Sequence, residues 1–501
     1  MNRSPLPWRE FFALDARSLA LFRVCIAVQL LIDWLDRLPD LASMFTDAGI
    51  LPRHAISGGI PVSVMMLSGS LWWQWLVSLL ALAFGGMLLV GWKTPLATFA
   101  SFVLLISAHG RNPWVMHGAD HLLRCLLFWG IFLPLGACWS VDARTREQRP
   151  ASPFVLSIAS FAFIGQLAMV YLFAAAWKWE AEWRQNNDAV YLALNLDSFA
   201  TRFGQWLRGY PDLCRLATVG SLYLETLGPA ILLLPFHVGM QRLVTVFLFC
   251  MFHGGLALSM ELSLFPFIAC AGWLALLPGS FWDRLALKLP RLRVEWGTAA
   301  EADWTPPRGL VPAAFVALCF AYVALSNTRG LAEDYLNRTG RPLAEEEKSA
   351  FTRFMEDHFP PQLQQFGMVT GLEQGWGVFA PRPSRYGGWT LAVATLANGD
   401  RTELIFGGDP DDRAQPEQQQ ATYWNGRWRK LMNNMPLTAM FPDLIKGWTL
   451  WKVREWEKAH GRARRIVRIE FLWMKKPNDP PGTPTRPVAE ETLGTWEEPK
   501  R

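Results

Sequence analysis

The sequence predicts a mainly α-helical fold, a polytopic transmembrane helix bundle of about nine spans with a small C-terminal α+β domain. Three observations carry this. The 501-residue chain is 51% hydrophobic and only 18% charged, against about a quarter charged residues in ordinary soluble domains. Charges are scarce up to Asn327 and frequent after it. Uncharged runs recur that approach the roughly 20 residues a helix needs to cross the hydrocarbon. The net charge of +5 comes without any Lys/Arg-rich block, so nothing points to nucleic acid as a partner.

The spans follow in order. Residues 18–35 form the first, with Arg23 and Asp33 inside it. Residues 71–92, 94–110, 125–141 and 150–177 follow without a charge, and 216–235 carries only Glu225. The uncharged runs 243–260, 262–282 and 309–327 complete the set. Many of the 26 Trp sit where spans meet headgroups: Trp72, Trp73 and Trp75 before the second span, Trp177, Trp179 and Trp183 after the fifth. An indole suits that boundary because its ring is apolar and its N–H wants water. Lys and Arg are more frequent in the connections that lie inside if the N-terminus is cytoplasmic. Nine spans then place the C-terminal domain outside. The first apolar stretch carries Arg23 and runs on to Asp33, so it predicts an uncleaved signal-anchor rather than a signal peptide.

The division expected is a transmembrane domain over 1–330, a linker helix over 331–360, an extramembrane α+β domain over 361–475 and a disordered tail over 476–501. Residues 388–406 alternate around Ala397-Asn398-Gly399-Asp400, a hairpin signal. Residues 437–460 have helical periodicity, and 464–474 alternate as a strand. The tail is rich in Pro, Glu and Thr. All seven Cys lie before residue 320, so no disulfide framework is expected in the C-terminal domain. No Cys or His spacing suggests a metal site.

Ionisable residues in spans are costly and therefore candidate functional groups. They are Arg23, Asp33, His109, Asp120, His121, Arg124, Lys178, Glu225, His253 and Glu261. Each has a packing alternative. Arg23 and Asp33 fix helix packing if they pair with polar groups on neighbouring helices. Lys178 at a span end can extend to the interface. A histidine at a span centre, as His253 is, can join two helices by a hydrogen bond.

Ser18-Leu-Ala-Leu-Phe-Arg23, with Asp33 and Arg37 downstream, resembles the first span of the horizontally transferred transmembrane (HTTM) family, which includes the vitamin K-dependent gamma-carboxylases. Further stretches resemble the family in the same order. They are Arg111-Asn-Pro with Gly118-Ala-Asp120, Trp139-Ser-Val-Asp142, Gln166 through Tyr171 to Lys178 and Trp183, and Phe252-His253 ahead of Phe265-Pro-Phe267. Trp376-Gly-Val-Phe-Ala-Pro381 is similar to the segment opening the extramembrane domain of bacterial members. The resemblance implies a bacterial inner-membrane protein, with reduced vitamin K or menaquinone as cofactor and Lys178 as the base that deprotonates it. In the carboxylases the lysine ends a Tyr-x-x-Ala-x-x-Lys-Lys stretch; here Trp177 replaces the first lysine. Burial disfavours an ammonium, which suits a neutral base. The same resemblance suggests Asp120 and His121 as further catalytic groups. It suggests Arg23, Asp33, His117, Tyr171, Trp183 and His253 as quinone-binding groups. The chain departs from the carboxylases in having His117-Gly-Ala-Asp-His121 where they have Asn-His-Ser, Asn186 where they have Gly, and a much shorter C-terminal part.

Three functions stay open. An enzyme acting on a quinone-like lipid needs Lys178 beside other polar groups in a closed cavity. A maturation factor for a periplasmic or secreted protein partner needs an exposed apolar patch on the C-terminal domain. A transporter needs repeated, broken spans near the midplane.

Overall fold

The computed structural model describes residues 11–499 apart from 57–62, 148–151, 233, 235–236, 297–309, 340–359, 418, 420–422, 424, 438–439 and 441–442. The membrane part is built from α1 (Ala16–Arg37), α2 (Leu71–Val90), α3 (Thr94–Arg111), α4 (Gly118–Gly130), α5 (Ile158–Trp177), α6 (Pro211–Ile231), α7 (Val238–Ser259), α8 (Phe265–Leu274), α9 (Gly279–Lys288) and α10 (Leu310–Thr339). Local chemistry sets the helix starts. The Asp15 carboxylate accepts the Arg17 N–H at the head of α1, and Ser157 and Ser160 cap α5 reciprocally. Outward faces keep large apolar side chains exposed, among them Leu79 on α2, Leu216 on α6 and Phe247 on α7. That is the surface a helix presents to lipid.

Five helices among the described residues are long and apolar enough to cross a membrane, or up to six if the bent pair α8–α9 is one span. The expectation of nine is therefore too high by this measure. Three features account for the difference. The run expected to span from 125 to 141 is helical only up to Gly130, in a helix of 13 residues, because Pro134 and Gly136 follow and the chain turns. The eighth run breaks before Pro278, and its two halves meet at 91°. Thr94–Arg111 and Pro211–Ile231 have the length but carry polar and charged residues.

The C-terminal region holds α11 (Pro361–Thr370), β1 (Tyr386–Leu396), β2 (Arg401–Glu403), α12 (Gly426–Asn434), α13 (Leu444–His460), β3 (Ile466–Pro477) and β4 (Ala489–Glu497). The strands form one antiparallel sheet in the order β2-β1-β3-β4. The expected hairpin is present, and Gly399 takes the left-handed conformation its turn requires, at φ +88°. α13 covers the sheet through Trp448, whose ring meets Phe471 edge-on at 5.5 Å. The linker expected over 331–360 begins as the end of α10; its remainder from 340 to 359 lies outside the described residues.

The disordered tail expected over 476–501 is corrected. β4 pairs with β3 from Lys475↔Ala489 to Arg468↔Glu497. Its glutamates meet basic residues across the strands, as in Lys475–Glu491 at 3.0 Å and Arg468–Glu497 at 3.5 Å. Cross-strand charge pairing and backbone bonds order a segment whose composition alone suggests disorder.

The buried Glu403 carboxylate accepts the backbone N–H groups of Ala392, Ile405, Phe406 and Gly407 at 2.5–3.1 Å. Glu403→Ala orphans four donors, one in β1 and three in the segment that follows β2. The variant is expected to lose roughly 3 kcal/mol, read as a lower midpoint for proteolysis within 386–475 on heating. An unchanged midpoint would show that the carboxylate is dispensable.

Candidate functional site

Lys178 is the residue that closes α5. Its N–H bonds to the Ala175 carbonyl at 3.2 Å, and the chain leaves the helix there. Tyr171, Ala174 and Lys178 are spaced by three and then four residues, so they share one helix face. α6 brings Glu225 to that face, and the Lys178 ammonium contacts both carboxylate oxygens, at 2.6 and 2.5 Å. Both side chains are buried, 6% exposed each. The Lys178 ammonium also lies 4.5 Å from the centre of the Trp183 ring.

Two turns back along α5, α7 and α8 close the face. The Trp273 indole donates to the Tyr171 hydroxyl at 2.8 Å, and that hydroxyl meets His253 Nε2 at 2.7 Å. Since the oxygen already accepts from Trp273, its own O–H is free to donate to Nε2. His253 thus makes the helix-to-helix bond expected of a buried histidine, while its Nδ1 has no partner. Lys178, Glu225, Tyr171, Trp183 and His253 all line one cavity of about 90 Å3.

The remaining wall comes from the C-terminal part. After Gly371, at φ +65°, the chain enters the bundle as a strap in which Leu372 and Trp376 are buried. Arg124 donates to the Glu373 carbonyl at 2.5 Å, and the Gln166 amide donates to Gln374 at 2.6 Å. The Trp183 indole donates to the Phe379 carbonyl at 3.0 Å. Gly377 lies so close to the Trp177 ring that a Cβ there would overlap it. Trp376, Val378 and Phe379 line the cavity.

A second polar cluster joins the two halves of the chain. Arg427, near the start of α12, bonds Asp33 of α1 and reaches Asp120 of α4 at 3.0 Å. Arg37 bonds the same two carboxylates, Asp33 at 3.1 Å and Asp120 at 2.9 Å. His109 and His117 each approach Asp120 at 3.3 Å. Two carboxylates thus face two guanidiniums, all of them at most 6% exposed. Burial alone would lower the Arg427 pKa, but the charges of Asp120 and Asp33 outweigh it and raise it above the ordinary arginine value. Asp120 also accepts the His117 backbone N–H at 2.9 Å, so it caps α4 as well. Asp40 adds bonds to Asn425 and the Trp428 indole, at 2.6 and 2.8 Å. On another side, Asp197 holds Lys476 of β3 at 2.5 Å and Arg208 at 2.9 Å.

The candidate residues from sequence therefore separate. Lys178, Tyr171, Trp183 and His253 come together. Asp33, Asp120 and His117 form the other cluster. His121 follows Asp120 on α4, its Nδ1 is unpartnered, and it is not among the residues lining the Lys178 cavity. Arg23 lies apart from both, donating to the Trp139 carbonyl at 2.7 Å and the Leu135 carbonyl at 3.5 Å in the non-helical turn after α4. Glu261 is exposed and bonds the Ser263 N–H at 3.3 Å. Sequence reasoning assigned no role to Glu225 or to the strap side chains, and it missed Arg427 altogether. The signal for Arg427 was indirect: two acids in apolar helices demand more cations than Arg37 supplies.

A family model described as HTTM domain matches residues 11–279, which holds every helix that lines the Lys178 cavity. No curated protein matches the chain, and no solved structure does.

Proposed function

The chain belongs to the HTTM domain family, and from that membership and the cavity at Lys178 we propose that it is a membrane enzyme acting on a lipid-soluble, quinone-like substrate, with Lys178 as base. The observation that carries this reading is the convergence of Lys178, Glu225, Tyr171 and His253, from three helices, on one largely apolar cavity. A reduced quinone would supply an oxidisable ring bearing acidic hydroxyls. The donor set suits the hydroxyl-bearing edge of such a ring, and the aromatic and aliphatic walls suit its faces.

Lys178 faces a carboxylate, so its role as base has a requirement. An ammonium has no lone pair; the amine is free to accept a substrate proton only after passing one on. Glu225, in contact with the ammonium through both oxygens, is the acceptor at hand. Transfer within the pair turns ammonium and carboxylate into amine and carboxylic acid without moving net charge out of the bundle. Tyr171 and His253 then hold a second hydroxyl or the substrate carbonyl. The exposed apolar faces of α6 and α7, two of the helices that line the cavity, support a substrate that arrives from the bilayer. The distribution of Lys and Arg supports a cytoplasmic N-terminus, and an odd number of spans, such as the five long apolar helices, would then carry the C-terminal domain outside.

The test supplies reduced menaquinone or vitamin K, with dioxygen as the oxidant whose atoms end in the epoxide and water, to the purified protein and measures the epoxide. Wild type is expected to form it, and Lys178→Ala to slow it by at least ~100-fold. Equal product from both proteins, or none from either, would sink the base assignment.

A further inference from the structure

A second cavity, of about 850 Å3, opens between the two halves of the chain and shares no lining residue with the cavity at Lys178. Its volume falls in the range of small-molecule sites, about 300–1,000 Å3. The segment joining α1 to α2 forms one side, with Pro39, Ala42, Thr46 and Leu71. The C-terminal region forms the other, with Leu404, Ile405 and Met432 beside Trp428, Trp448 and Trp451.

The polar groups of this wall are unevenly committed. Asp40 already accepts from Asn425 and the Trp428 indole, at 2.6 and 2.8 Å. The Ser43 and Thr46 hydroxyls donate to carbonyls of their own segment, at 3.1 and 2.6 Å. Glu455 is paired with Lys458 at 2.7 Å. Two donors are left over. The half-buried Lys452 ammonium has no hydrogen bond or ion pair among the described residues; Glu403 and Glu455 act on it only through space. It lies over the Trp448 and Trp451 rings, at 6.0 and 5.9 Å from their centres, so those aromatic faces already hold a cation. Trp448 is 2% exposed, yet its indole N–H has no acceptor. Buried N–H groups are normally paired, and this one lines a cavity beside a free ammonium. The complement of that pair is an anionic oxygen. The wall also runs to the head of α2, where Leu71 is 43% and Trp72 65% exposed on the surface that faces lipid.

We propose that this cavity holds the head group of an anionic membrane lipid, with Lys452 and the Trp448 N–H as donors to the anion and the acyl chain leaving past Leu71. Trp428, Trp451 and Met432 cover the apolar atoms next to the head. A lipid seated there touches the segment after α1 and both α12 and α13, so it adds to the contacts between the two halves.

Octanoate and octanamide test this, because they share a chain and differ in charge. Their binding to the full-length protein in phosphatidylcholine nanodiscs is measured by equilibrium dialysis, with empty nanodiscs as the blank. Wild type is expected to bind octanoate at least about tenfold more tightly than octanamide, the least that a hydrogen bond to a charged group is worth. Lys452→Met is expected to remove that preference while binding octanamide as wild type does, which shows the cavity intact; Lys452→Arg keeps the preference. Trp448→Phe lowers it by less and serves if Lys452→Met fails to fold. Phosphatidylglycerol added to the nanodiscs is expected to weaken octanoate binding to wild type several-fold. No preference for octanoate in wild type, an undiminished preference in Lys452→Met, or octanoate binding that phosphatidylglycerol leaves unchanged would overturn the proposal. None of these readouts involves Lys178, so they stand or fall separately from the epoxide test.

Discussion

Arg427→Met is expected to destabilise the protein by about 3–5 kcal/mol, the usual cost of removing one partner from a buried ion cluster. The substitution keeps the length of the side chain but leaves Asp33 and Asp120 sharing Arg37 alone, at 3.1 and 2.9 Å. One of the two carboxylates must then be buried uncompensated or take up a proton. Because Arg427 belongs to α12 and both acids to the bundle, the loss falls on the junction of the two halves. Limited proteolysis should cut the C-terminal part of the variant under conditions where wild type resists, with a lower midpoint on heating. Adding Asp120→Asn to Arg427→Met removes the stranded charge and is expected to recover part of the midpoint. Wild-type protease resistance in Arg427→Met would refute a joint held by this cluster.

Lys178–Glu225 gives the second large effect, and the two single variants differ in what they strand. Glu225→Leu leaves an ammonium among apolar residues, while Lys178→Met leaves a carboxylate. Each is expected to cost about 3–5 kcal/mol, and the double variant Lys178→Met, Glu225→Leu to cost markedly less than either. A stability cycle alone does not separate structure from chemistry. Glu225→Gln does: it keeps a hydrogen-bond acceptor for Lys178 but cannot take its proton. If Glu225 receives that proton, Glu225→Gln should cost less stability than Glu225→Leu, because its amide oxygen still accepts from Lys178, yet form epoxide at least ~100-fold more slowly. Wild-type turnover in Glu225→Gln would confine Glu225 to a packing role.

These two clusters also mark how far the sequence could be read. Lys178, Tyr171 and His253 were legible because they lie in motifs, and Tyr171 and Lys178 are two helical turns apart on one chain segment. Glu225 was visible as a lone acid in an apolar helix, but nothing local said it would meet Lys178, 47 residues earlier. Arg427 sits in a polar Arg-Trp-Arg-Lys stretch where an arginine is unremarked, and its partner Asp33 is 394 residues away. Long-range ion pairs leave no periodicity. Apolar runs, in turn, overstated the spans: an uncharged segment satisfies hydropathy whether or not Pro134 and Gly136 allow it to stay helical. The tail erred in the other direction, since Glu490 and Glu491 look like solvent-facing residues until Arg413 and Lys475 meet them.

The Arg427 cluster has a consequence for biosynthesis. Asp120 precedes Arg427 by 307 positions; at about 5–20 residues per second on the ribosome, that is roughly 15–60 s of elongation. Throughout that interval the buried acids Asp33 and Asp120 have only the Arg37 guanidinium bonded between them. The nascent bundle must therefore remain hydrated or chaperoned at this point until the last segment of the polypeptide arrives, and a message truncated ahead of α12 would yield a product unable to complete its own interior.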